Sequence, residues 1–292
     1  MTEKRLNSRC IQCLLDKYIK NIDDGIDEDI KLEYMQKVLS VLGSADISSS
    51  GPLLTEQISK VQNDVLGHET DYSAIKSHFN QLMLSIESDI EEKITASSDT
   101  IKTALCYAMS GNYIDFGAMD SVDEATLRQT LDNADDIKID EAELCNLKSE
   151  LKNAERLVYL TDNCGEIVLD KLFIKAIRDY NPKLEVNVIV RGEPVLNDCT
   201  IEDAVQVGMY SVADVVPNGT AVAGTCLDRI SLEAKVLIDE ADVIIAKGQG
   251  NFETLRYCGK NVYYLFLCKC KMFAERLNVK PLSGMLINDL RM

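Results

Sequence analysis

The chain has 292 residues, 46% of them hydrophobic, which is enough for a substantial core in one large domain or two ordinary ones. Acidic residues outnumber basic ones 48 to 31, for a net charge of −17. A surface that acidic repels phosphate backbones and anionic headgroups, so no nucleic acid and no membrane is expected as a partner. An anionic substrate would need a local basic site or a metal.

The opening residues, M-T-E-K-R-L-N-S-R-C, lack the apolar core of a signal peptide. The longest apolar runs, such as Val262–Cys268, are strand-sized and too short to span a bilayer. Ten cysteines without a secretory signal fit a reduced setting and not a disulfide framework, so a cytoplasmic location is expected.

The first half reads as helices. Ser8 to about Ile22 carries apolar residues at Ile11, Leu14, Leu15, Tyr18 and Ile19, with Cys10 and Cys13 one turn apart. That pair has three readings: half of a second metal site completed by Cys268 and Cys270, a redox pair, or two buried thiols on an apolar face. A zinc site usually shows two clear ligand pairs, and the second here is C-x-C. The redox motif expects a preceding strand, and none is visible. Asp29 to Leu42 is a second helix, stopped by Gly43, and the Ser- and Gly-rich stretch Ser44–Pro52 reads as a loop. Helical spacing continues over Thr55–Leu66 and Tyr72–Ile94. Neither His68 nor His78 stands near another ligand type at a metal spacing. The helix Thr100–Met109 runs into G-N-Y-I-D-F-G at Gly111–Gly117. This is either an ordinary helix cap and turn or a loop presenting Asn112 and Asp115 to a cleft. Asp120 to Leu151 is acidic and helical, the pattern of a solvated face. No Pro/Gly-rich linker follows. Residues 1–153 are therefore expected to form a helical part packed on an α/β domain over 154–292.

From Arg156 the rhythm becomes strand, loop, helix. R-L-V-Y-L-T-D-N-C-G-E at Arg156–Glu166 is a short apolar run that breaks into a polar turn, followed by helical spacing from Ile167 to Tyr180. Glu185–Val190 is the next strand, ending in Arg191, Gly192 and Pro194 and then Leu196-Asn197-Asp198. A helix from about Ile201 to Met209, a strand over Val212–Val216 and a helix over Ile230–Glu240 follow. Asp242–Ala246 reads as a buried strand ending in K-G-Q-G-N, with a helix from near Phe252. Asn261–Cys268 is the last strand, then Lys269 and a helix through Leu277. Alternation of this kind predicts a Rossmann-like, doubly wound parallel sheet in an α/β/α arrangement with right-handed crossovers.

In such a sheet the strand ends collect on one edge, where ligands bind. The edge inventory is Asp162, Asn163 and Glu166, then Arg191, Asn197 and Asp198, then Lys247, Gln249 and Asn251, and Lys269. Asp162, Asn163 and Asp198 supply three hard oxygen ligands, which water and a substrate oxygen would complete into an octahedron suited to Mg²⁺ or Mn²⁺. Arg191 with Lys247 or Lys269 would neutralise a phosphate, and the backbone N–H groups of Gly248–Gly250 would approach an anion at a helix start. G-K-[ST] is absent, as is G-x-G-x-x-G after the first strand, which counts against a nicotinamide enzyme. A site of this composition favours phosphoryl transfer to water, with Asp162 as nucleophile or as the group that orients the attacking water.

Taken together, Cys10-x-x-Cys13, G-N-Y-I-D-F-G, L-T-D-N-C-G-E, R-G-E-P-V-L-N-D at Arg191–Asp198, K-G-Q-G-N-F-E-T-L at Lys247–Leu255 and Lys269-Cys270 resemble the damage-control phosphatases. The Cys pair and the G-N-x-I-D loop resemble subfamily I of that family. The resemblance covers nearly the whole chain. It implies a helical N-terminal part on a Rossmann-like domain. It implies a divalent metal (Mn, Mg, Co or Ni) held by Asp162, Asn163 and Asp198, and substrate contacts from Asn112, Asp115, Glu166, Arg191, Lys247 and Lys269. Its substrates are small phosphorylated metabolites, sugar phosphates or damaged cofactor phosphates. Cys268 and Lys271 depart from the family, which more often has small residues or proline beside Lys269-Cys270. Two other readings stand beside this one. A carboxyl methyltransferase using S-adenosylmethionine lacks a glycine-rich methyl-donor loop here; a non-catalytic metabolite- or metal-binding module would bind without turnover.

Overall fold

The structure is a computed structural model and describes residues 6–20, 22–68, 70–117 and 122–292. The acidic stretch expected from Asp120 therefore begins outside the described residues. The helices are α1 (Ser8–Lys20), α2 (Glu28–Gly43), α3 (Gly51–Leu66), α4 (Ser73–Ala96), α5 (Thr100–Gly111), α6 (Glu124–Asp132) and α7 (Glu141–Asn153) in the first half. Side-chain caps start several of them: Asp27, Asp99, Asp123 and Asp140 each accept from a backbone N–H of the first turn. α3 starts earlier than its apolar spacing suggests, because Pro52 is a favourable residue in a first turn. The acidic stretch is broken between α6 and α7 by a single 3₁₀ turn, Ala134–Asp136, and buries Leu127, Leu131, Leu144, Leu147 and Leu151.

The second half alternates as expected: β1 (Arg156–Leu160), α8 (Glu166–Tyr180), β2 (Glu185–Val190), α9 (Ile201–Gln206), β3 (Asp214–Pro217), α10 (Leu232–Glu240), β4 (Val243–Lys247), α11 (Gly248–Leu255), β5 (Val262–Leu267), α12 (Lys271–Arg276) and β6 (Gly284–Asn288). The strand order is β3-β2-β1-β4-β5-β6. The first five are parallel, and β6 pairs antiparallel with β5, Tyr263 facing Asn288. The sequence reading missed β6, a five-residue run whose half-buried pattern gives little periodicity. α11 also begins at Gly248 and not near Phe252, so Gly248–Asn251 is its first turn.

Strand residues alternate between two cores, as the period of two requires. Leu157, Tyr159, Val188, Ile245 and Leu265 face a core shared with α4, α5, α6, α7 and α8. Val158, Leu160, Ile189, Ile244 and Phe266 face the core under α10, α11 and α12. The result is a three-layer α/β/α body. α1, α2 and α3 build a third, smaller core around Tyr34, Val38, Leu54 and Ile58. No described helix is long and apolar enough to cross a membrane.

Candidate active site

Strand register sets one residue from each of four strands side by side at the carboxyl edge. Leu160 pairs with Ile189 and Ala246, and Val190 with Pro217. The ladder continues past the strand ends, with Thr161 N donating to Ile189 O at 3.1 Å and Asn218 N to Val190 O at 2.8 Å. Extending the register therefore brings Asp162 beside Arg191 and Gly248, and Arg191 beside Asn218. β1 is also where the chain turns back across the sheet, since β2 and β4 flank it. That is the topological switch point at which doubly wound sheets bind ligands.

Asp198 reaches this edge by a return of the chain after Arg191. Asn163 and Asp198 form an antiparallel bridge. Cys199 N donates to Asp162 O and Cys164 N to Asn197 O, both at 2.8 Å. Arg191 Nε then donates to Asp198 Oδ2 at 2.7 Å, and Arg191 NH2 lies 3.5 Å from Asp162 Oδ1. The end of α5 closes the site from the helical half. Asn112 Nδ2 donates to Asp162 Oδ2 at 3.2 Å and to Glu166 Oε2 at 3.0 Å, while its Oδ1 accepts from Leu267 N at 3.0 Å. Asp115 accepts from Lys269 Nζ at 2.7 Å. Asn197 ties this loop to the other by accepting from Phe116 N and donating to Ile114 O.

Gly248 is dictated by Asp162. It has φ 78°, and a Cβ there would stand 1.9 Å from Asp162 Oδ2. No side chain fits, so the backbone at the start of α11 lies directly against the carboxylate.

Lys247 points to the other face of the sheet. It is fully buried and donates to Glu166 Oε1 and Asp170 Oδ1 at 2.6 Å each and to Ala108 O at 2.8 Å, which uses its three ammonium hydrogens. Tyr159 OH donates to Asp170 Oδ1 at 2.7 Å. Asn163 Nδ2 links the two faces, donating to Asp162 Oδ2 at 2.7 Å and to Glu166 Oε2 at 3.1 Å.

Among the described residues the ion pairs here join five carboxylates, Asp115, Asp162, Glu166, Asp170 and Asp198, to three cations, Arg191, Lys247 and Lys269, an excess of two negative charges if all ionise. The titration reflects it. Burial, then the charges of Asp198, Glu166 and Asp115, push the Asp162 carboxyl well above its usual range against the pull of Arg191. Burial pushes Asp198 up to about 6 despite its bond to Arg191. Burial is also the main influence on Asp170, pushed up to about 7. No described residue donates a hydrogen bond to Asn163 Oδ1 or Asp198 Oδ1. Among the described residues no three His, Cys, Asp or Glu side chains group as a metal site by themselves. The candidate set is instead two carboxylates and one amide, Asp162, Asp198 and Asn163. Its oxygens and its missing positive charge fit a hard divalent cation.

The residues singled out from the sequence thus converge on one edge, apart from Cys10 and Cys13 on α1. Cys13 is exposed and Cys10 half-buried, so the pair is not buried as a unit. Burial raises the Cys10 thiol, and the neighbouring charges of Glu253, Cys270 and Cys13 add to that. Sequence reasoning missed Asp170, Tyr159 and Asn218. Asp170 carried a usable signal, standing one helical turn after Glu166. A cavity of about 630 Å³ lies to one side, lined by residues including Tyr18, Tyr72, Lys76, Glu193 and Leu196. It shares Glu193–Leu196 and Thr200 with the loop after β2, and Ala221 with the loop after β3.

Residues 6–283 match the damage-control phosphatase ARMT1-like domain. The chain is 32% identical over 286 residues to a damage-control phosphatase of Archaeoglobus fulgidus, covering 94% of this chain and 96% of that protein. It is 27% identical over 278 residues to a damage-control phosphatase of Pyrococcus horikoshii, covering 94% of this chain and 95% of the relative. A crystal structure of a DUF89 family protein from Pyrococcus horikoshii superposes with a TM-score of 0.83 at 26% identity, over 97% of this chain and 99% of that one. A match that spans both the helical half and the sheet edge, in sequence and in fold, makes this chain a member of the damage-control phosphatase family.

Proposed function

We propose that the chain is a divalent-metal-dependent phosphatase that hydrolyses a small phosphorylated metabolite. The observation that carries this is the convergence of Asp162, Asn163 and Asp198 at the switch point, buried together with Arg191. Those three side chains would hold a divalent cation, which would offset their carboxylate charge and draw charge from the phosphoryl oxygens. Arg191 binds the phosphoryl group through its guanidinium NH1 and NH2, neither of which has a hydrogen-bond partner in the protein. Lys269, held by Asp115, contributes the second positive charge at the rim. Asn112 and Asn163 fix Asp162 through Oδ2, which leaves Oδ1 to act at phosphorus or on the attacking water. Lys247 acts through Glu166, which it anchors against both amides.

The test is phosphate release from a panel of sugar and cofactor phosphates by metal-stripped protein, with Mg²⁺, Mn²⁺, Co²⁺ or Ni²⁺ added back. Release should require metal and vary across the panel. Release without metal, or unimpaired release by Asp162→Asn and Asp198→Ala, sinks the reading.

A further inference from the structure

Five buried side-chain atoms among the described residues have no hydrogen-bond partner, and three of them are N–H donors on two adjacent residues, Arg191 NH1 and NH2 and Asn218 Nδ2. Buried donors in native proteins are almost always paired, so a cluster of orphaned ones calls for an acceptor. Arg191 and Asn218 are register partners at the ends of β2 and β3, with Pro217 facing Val190 just before them. The Asn218 amide is oriented without ambiguity. Its Oδ1 accepts from Gly192 N and Thr220 N, both at 2.9 Å, so the NH₂ is the unsatisfied end. The two turns are in close backbone contact, since a Cβ on Gly192 would stand 2.3 Å from Gly219 Cα. The amide is therefore fixed against the turn that carries Arg191.

We infer that Asn218 is a second phosphoryl-binding residue, its Nδ2 donating alongside the Arg191 guanidinium to one tetrahedral oxyanion. This rests on the phosphatase reading and extends it by one residue. The chemistry suits the role. A neutral amide adds a donor without a further cation, and the anion's several acceptor oxygens match the three N–H-bearing nitrogens that have no hydrogen-bond partner in the protein. Both residues are almost wholly out of solvent, Asn218 at 0% and Arg191 at 1% exposure. Access for the anion therefore requires the chain over these two side chains to move.

The deciding experiment is a crystal structure of the wild-type protein with Mg²⁺ and inorganic phosphate or vanadate. The expected result is an anion oxygen within hydrogen-bond distance of both Asn218 Nδ2 and the Arg191 guanidinium. An anion on Arg191 with Asn218 bonded to a water overturns this inference and leaves the phosphatase reading standing. No anion at this edge counts against both. In solution, Asn218→Asp keeps the oxygen for Gly192 and Thr220 and removes the donor. It should weaken inhibition by inorganic phosphate about tenfold or more, with the thermal midpoint of the metal-free protein little changed. Unchanged inhibition overturns the assignment; if the variant does not fold, the wild-type crystal decides.

Discussion

Two charge clusters lie on opposite faces of the same sheet edge, and both are buried. Around Lys247 every donor is used: one ammonium meets two carboxylates and a carbonyl, and Tyr159 supplies a further donor to Asp170, whose Oδ2 alone is left without a partner. Around Asp162 the donors are not all used. Two carboxylates are pushed above their usual range, and the guanidinium between them has two nitrogens without a hydrogen bond. Burial is common to both, so burial does not mark the site. What marks it is a buried guanidinium with donors left over, which a fold tolerates where an anionic ligand completes the arrangement.

The comparison breaks most sharply at Asp162. Asp162→Asn keeps the shape but removes charge from the incomplete cluster, and phosphate release with metal should fall on the order of 10³-fold or more. The metal-free protein should melt no lower than wild type, because the substitution relieves repulsion among buried carboxylates. Lys247→Met attacks the cluster whose donors are all used and should act on stability first. It strands Glu166 and Asp170 in the interior, at a cost of about 3–5 kcal/mol by urea denaturation. Equal losses of stability in both variants would erase the distinction between the clusters.

Gly248→Ala tests the contact between the unfinished cluster and α11. The added methyl meets Asp162 Oδ2, so the carboxylate or the first turn of the helix must move. Displacement of that order should lower kcat about 10²-fold, and a left-handed alanine should cost about 1–2 kcal/mol. A crystal structure of the variant with Asp162 unmoved and full activity would contradict the fit described here.

Asp170 gives a smaller, pH-dependent effect. Its carboxyl is pushed up to about 7 by burial, whereas in the unfolded chain it ionises near ~3.9. The folded state holds this proton more tightly. The resulting stabilisation is complete below about pH 4 and is lost as pH rises through about 7. Asp170→Asn cannot titrate there. The melting temperature of wild type relative to the variant should therefore decline between pH 5 and pH 8. Parallel curves would show that Lys247 keeps Asp170 ionised throughout.

Legibility in the sequence follows the same division. The β1 turn could be read because Asp162, Asn163, Gly165 and Glu166 interrupt an apolar strand and an apolar helix at once. Arg191 and Asp198 could be read for the same reason, as polar residues at a strand end. The antiparallel return that joins Asp198 to Asn163 is a long-range pairing with no local periodicity, so the sequence supplied the residues but not their contact. Lys247 looked like a phosphate ligand because it ends a strand. The pleat turns it instead to the face of α5 and α8, where Glu166 and Asp170 engage it. Asn218 stood in a Pro-Asn-Gly string that reads as a turn, and its significance lies in one unsatisfied nitrogen that only packing reveals.

The smallest effect is expected at the motif that neither cluster uses. Cys10 and Cys13 lie on α1, and a metal there would need further ligands. Cys268 is buried and Cys270 half-buried, and among the described residues no three His, Cys, Asp or Glu side chains group as a metal site. Replacing both with serine should leave bound metal per chain unchanged by mass spectrometry, with phosphate release within about twofold of wild type, the range of a surface substitution. A fall in metal content with activity retained would place a separate thiol site on α1. A fall in both would tie the pair to the Lys269–Cys270 segment and so to the rim of the unfinished cluster. Either result would mean that the incomplete region extends beyond the sheet edge, onto the helical half of the molecule.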